Sequence, residues 1–90
     1  MDDVLVEFQD LSEALDPGEK FVFIYDCKEK KLIPIIINEK AIDFKNKTVR
    51  AELAELRDYE GEITYLVVFP EEMPNSRNKK IWVNKVISIK

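Results

Sequence analysis

The chain has 90 residues, 46% of them hydrophobic and 36% charged. That balance excludes a wholly disordered chain and a collagen-like one, and no apolar run approaches the ~20 residues needed to cross a bilayer as a helix. There is no histidine, one cysteine and two glycines, against a net charge of −4 and a pI near 4.9. The residue inventory therefore lacks a histidine-based nucleophile, a tetrahedral zinc set and a glycine-rich phosphate loop.

Ile and Val total 18 against 11 for Leu and Ala. Branching at Cβ suits a pleated, half-buried surface, so the bulk preference is for sheet. In chain order, residues 3–15 (DVLVEFQDLSEAL) place Val4, Phe8, Leu11 and Leu15 on one helical stripe, with Asp2 or Asp3 to cap it and Asp16-Pro17-Gly18 to stop it. This spacing predicts an N-terminal helix, although Val4, Val6 and Phe8 also alternate as a strand would. Phe21–Asp26 is apolar on both faces, as a central strand is. The polar turn Cys27–Lys31 and the apolar run Leu32–Ile37 complete a predicted hairpin.

Asn38-Glu39-Lys40 reads as a turn and Ala41–Phe44 as a short strand. Residues 48–59 (TVRAELAELRDY) match helical spacing at Val49, Leu53 and Leu56, and a strand at Val49, Ala51 and Leu53. Their Ala, Glu, Leu and Arg content tips the prediction to a helix at 48–58. Gly61 marks a turn, Ile63–Phe69 a strand ended by Pro70, Glu71–Lys80 a polar loop, and Ile81–Ile89 a last strand. The predicted fold class is mainly β (α+β): one domain over 1–90, drawn as a small antiparallel sheet or a partly open, OB-like barrel of about five strands, with an N-terminal helix and the helix at 48–58.

The charge is unevenly placed. Residues 1–19 hold seven acids and no base, and residues 77–90 hold five bases and no acid. The simplest expectation is that the two ends attract each other. An acidic N-terminal element that mimics nucleic acid toward a basic protein, through Asp2, Asp3, Glu7 and Asp10, is a further reading. The single cysteine and the acidic start point to an intracellular, cytoplasmic chain, with no cofactor, no metal and no membrane partner expected. Lys28, Lys30 and Lys31 beside Cys27 have the sign that lowers a thiol pKa.

Two features point to binding. Pro34 has no amide hydrogen to give, which confines Leu32–Ile37 to a sheet edge, a strand start or a bulge although it is among the most apolar runs in the chain. Such an edge templates pairing with another chain unless it is covered, which makes Ile33, Ile35 and Ile37 candidate partner-binding residues, self-association included. Trp82 is the second feature, as an interface anchor. With Arg77, Lys79, Lys80 and Lys85 it would alternatively stack a base while the cations meet phosphates. The sequence thus predicts a non-enzymatic protein-interaction module, an accessory or regulatory subunit, with a small nucleic-acid-binding barrel as the alternative.

Overall fold

The N-terminal segment is not helical. In the computed structural model, which describes residues 2–69 and 79–89, it forms two strands, β1 (Asp2–Glu7) and β2 (Asp10–Glu13). Val4, Val6 and Phe8 are buried in alternation, whereas Leu15, the last residue of the expected helical stripe, is 100% exposed. Residues at i and i+4 share a face in both a helix and a strand, so Val4 and Phe8 could not discriminate. Val6 could, and it lies in the core.

Seven further strands follow: β3 (Glu19–Asp26), β4 (Lys31–Asn38), β5 (Ile42–Asp43), β6 (Thr48–Tyr59), β7 (Glu62–Phe69), β8 (Lys79–Val83) and β9 (Ile87–Ser88). A three-residue 3-10 turn, Glu39–Ala41, is capped by the Asn38 side chain, which accepts from the Lys40 amide at 2.9 Å. The predicted helix at 48–58 is the 12-residue strand β6. Pairing on both sides overrides its helical composition, since β1 lies against residues 48–53 and β7 against residues 52–59. A register shift between Leu53 and Glu55 lets one long strand serve both neighbours.

The strands form two antiparallel sheets, and the fold is mainly β. One sheet has the order β8-β7-β6-β1-β9, with β5 also on β6; the other has the order β2-β3-β4. The ribbon of β1 and β2 passes from one sheet to the other at Phe8 and Gln9. The Phe8 amide donates to Lys47 at 3.0 Å, and the Gln9 amide donates to Phe23 at 2.8 Å. The predicted hairpin of residues 21–26 and 32–37 is present as β3–β4, and β3 is central in its sheet as expected.

The larger sheet must curl. Its outer strands β8 and β9 are joined by just the three residues 84–86, a reach of about 14 Å at most. In a flat sheet, five strands would put those two edges roughly 19 Å apart. Curling brings the two inner faces together around Val6, Val22, Ile24, Ile35, Val49, Val67, Phe69 and Ile81, all nearly inaccessible to solvent. The predicted single strand 81–89 is in consequence broken at Asn84, and Ile87 and Ile89 are exposed rather than in the core.

The acidic and basic ends do meet. β1 pairs with β9, and the Lys85 ammonium donates to Glu7 at 3.0 Å. At the exposed turn after β5, Asn46 donates its backbone and side-chain N–H groups to Asp43, which holds that carboxyl below its usual range. None of the described helical segments is long and apolar enough to cross a membrane.

Strand alternation and the helical stripe differ in a measurable way. Ile35→Ala, in the core, should lower unfolding free energy by about 2–4 kcal/mol in a denaturant titration. Leu15→Ala should change it by less than about 0.5 kcal/mol; a large Leu15 effect would restore the helical packing that the fold lacks.

Candidate functional site

Two surfaces emerge, one on each sheet. The first is built by β3 and β4. Even-numbered side chains of β3 and odd-numbered ones of β4 face the core, so Phe21, Phe23 and Tyr25 point the other way, opposite Ile36, Pro34 and Leu32 respectively. The two phenyl rings stand 6.5 Å apart at 38°. Tyr25 is 43% exposed, Leu32 is 45% exposed, Pro34 is exposed, and Phe21, Phe23 and Ile36 are half-buried. An apolar patch six residues in extent therefore covers the outer face of the smaller sheet.

Beside it lies the outward edge of β4. The Glu39 amide donates to the Gly18 carbonyl at 2.8 Å. Antiparallel alternation carried back from that pair turns the main-chain groups of Ile37, Ile35 and Ile33 toward β3 and those of Ile36, Pro34 and Leu32 away from it. Phe23 agrees, since its carbonyl is bonded to Gln9 on the opposite side. Pro34 thus costs the β3–β4 ladder no bond. β2 sits on the far side of β3, so the N-terminal segment does not cover this edge, and no described strand pairs with it.

The expected partner-binding side chains need correction here. Ile35 and Ile37 are core residues and Ile33 packs partly against the core, because their parity points them inward. Leu32, Pro34 and Ile36 are the side chains this edge presents.

The second surface centres on Asp26 and Trp82. Asp26 ends β3 and is only 4% exposed, yet its carboxylate is well supplied with donors. Oδ1 accepts from the Lys28 and Glu29 amides, both at 2.8 Å, and Oδ2 accepts from the Trp82 amide at 3.2 Å. The Cys27 amide in turn donates to the Trp82 carbonyl at 2.9 Å. The end of the β3–β4 hairpin is thereby fastened across to β8, sheet to sheet. An acid at the end of an apolar run followed by a polar turn is the signal that could have identified Asp26, since Asp side chains accept from amides two and three residues on.

Trp82 is half-buried on the outer side of β8, between the buried Ile81 and Val83. The Lys28 ammonium lies 3.8 Å from its ring centroid and the Arg57 guanidinium 5.3 Å. These cations come from the hairpin turn and from β6. Of those the sequence proposed, Lys80 shares the outer side of β8 with Trp82 and is exposed, whereas Lys85 is engaged by Glu7. Arg77 and the Lys79 side chain lie outside the described residues. Lys28, Lys30, Arg57, Cys27, Glu62 and Asn84 line one open cleft of about 950 Å³, together with Ile63 and Thr64.

Burial pushes the Cys27 thiol up, and the Asp26 carboxylate adds to it; the opposing pulls of its own backbone hydrogen bond and of Lys28 are weaker. The lowering pull of the neighbouring lysines is outweighed by desolvation and Asp26, as suits an ordinary cysteine at a strand end rather than an activated one. Among the described residues no group of three or more His, Cys, Asp or Glu is placed to hold a metal ion. No family model, curated protein or solved structure matches the chain.

Two measurements check this geometry. Asp26→Asn keeps an acceptor for the hairpin turn but sets an amide donor against the Trp82 N–H. It should cost about 1.5–3 kcal/mol in unfolding free energy and shift tryptophan emission; unchanged stability would remove the sheet-to-sheet fastening. Cys27 alkylation by iodoacetamide should rise at a pH above that for an unhindered thiol, because a raised pKa keeps the thiolate scarce at neutrality. Lys28→Gln should move that rise higher still.

Proposed function

We propose that the protein is a non-enzymatic interaction module, an accessory or regulatory subunit that docks another polypeptide on the smaller sheet. Self-association is one form of this. The observation that carries the reading is the outer face of β3 and β4: three aromatic side chains opposite Leu32, Pro34 and Ile36, of which Tyr25, Leu32 and Pro34 are exposed. Apolar contact of this extent on a small domain is the usual mark of an interaction surface. The adjoining β4 edge adds main-chain acceptors and donors that a second strand would satisfy.

Pro34 shapes how such a strand would add. It offers a carbonyl but no amide hydrogen at the middle of the edge, so each added strand leaves one ladder position without a donor. The aromatic face, rather than the edge ladder alone, then supplies most of the affinity, and the edge supplies direction. The residue inventory supports a binding role over catalysis, because nucleophilic chemistry has no histidine to draw on.

Sedimentation velocity on the purified chain should show concentration-dependent association. Leu32→Lys with Ile36→Lys should return it to monomer while shifting the thermal midpoint little, since both side chains lie on the outer face. A chain that stays monomeric and binds no apolar dye at this face removes the reading.

A further inference from the structure

The cleft beside Trp82 gathers more positive than negative side chains among the described residues. Lys28 and Lys30 come from the β3–β4 turn, Lys30 in a left-handed conformation with φ 57°, and Arg57 from β6. Among the described residues neither Lys28 nor Lys30 has a carboxylate partner, and Arg57 shares the exposed Glu55, whose Oε1 accepts from its Nε at 2.8 Å. Among the described residues Glu62 is the one acid lining the cleft. Two of the cations, Lys28 and Arg57, rest on the same indole, so two like charges share one ring. A multivalent anion relieves that repulsion better than water does.

From this arrangement we propose that the cleft binds a nucleotide unit, free or within a single strand. The phosphate takes the side chains of Lys28, Lys30 and Arg57, and the base takes the Trp82 ring that the Lys28 ammonium leaves. A charge-assisted hydrogen bond to phosphate is stronger than a cation–π contact at a half-exposed ring, so the exchange runs toward the phosphate. Baring the ring creates a stacking platform, and this is what favours a nucleotide over an acidic peptide, which brings anions but no π surface. The Asn84 amide, also on the cleft wall, is placed for the edge of a base. The cleft volume falls within the range of small-ligand sites. The site lies on the larger sheet and the hairpin turn, apart from the apolar face of β3 and β4, so it stands or falls separately from the docking role.

The chain's one tryptophan is Trp82, which makes its emission a reporter of this site alone. The titrants are adenosine 5′-monophosphate, a short oligodeoxythymidylate, inorganic phosphate and polyglutamate, each at low salt. The nucleotide or the oligonucleotide should quench Trp82 saturably: a response to the nucleotide identifies a free ligand, and a response to the oligonucleotide alone identifies a strand. Oligonucleotide binding should weaken steeply with salt. Lys28→Gln and Arg57→Gln should each lower affinity by roughly fivefold or more with unchanged circular dichroism. Glu62→Gln should tighten binding, and Lys45→Gln, in the turn after β5, should leave it alone. No saturable quenching by nucleotide or oligonucleotide, equal quenching by polyglutamate, or binding indifferent to Lys28→Gln would each overturn the proposal.

Discussion

A buried carboxylate holds the two sheets in their relation. Asp26 has left water almost entirely, which is costly for an acid unless its oxygens are met by donors. It is met by three backbone amides, two from its own turn and one from Trp82 on the other sheet. Because the donors are main-chain groups, the bond defines backbone position rather than a side-chain rotamer. The turn that carries Lys28 and Lys30 is ordered by the same group, so the position of Lys28 over Trp82 follows from it. Without this contact the Cys27–Trp82 main-chain bond would be left beside apolar packing, which is strong but weakly directional.

Two kinds of surface result from one folding rule. Strand parity sends Val22, Ile24 and Ile35 inward and leaves Phe21, Phe23 and Tyr25 outward. A core strand buried on both faces would have read the same way in sequence, since every position of residues 21–25 is apolar. The smaller sheet has just one covered face, so half of that apolar content is spent on the outside. On the larger sheet the outer side is mixed: Arg57, Lys80 and Glu55 share it with Trp82, Leu66 and Val68.

What could be read from the sequence divides along the same physical line. The β3–β4 hairpin, β5 and β7 were legible because each is a short apolar run bounded by turn residues, a pattern with local causes. The edge position of Pro34 was legible too, since a missing amide hydrogen restricts the strand wherever it folds. The segments 3–15 and 48–58 were not. Their apolar residues at i and i+4 satisfy both periods, and the residues that break the tie, Val6 and Ala51, count only once a neighbouring strand is present. Contacts between distant residues were invisible: Asp26 meets Trp82 across 56 positions, and nothing near Trp82 in the chain foretells Lys28 or Arg57 on its ring.

The pairing of β1 with β6 and β9 has an implication for how the chain is made. β1 precedes both of its partners in the chain, which are residues 48–53 and 87–88. Until those residues are made, both flanks of this ribbon, which carries Val4 and Val6 and runs into Phe8, lack their partners. Asp3 and Glu7 lie on the opposite face from those apolar side chains and, with Asp2, set like charges against the approach of a like ribbon. Only afterwards do Arg50 and Lys85 arrive to neutralise Asp3 and Glu7. The strand is thus bordered by charges whose counter-ions come from residues later in the chain.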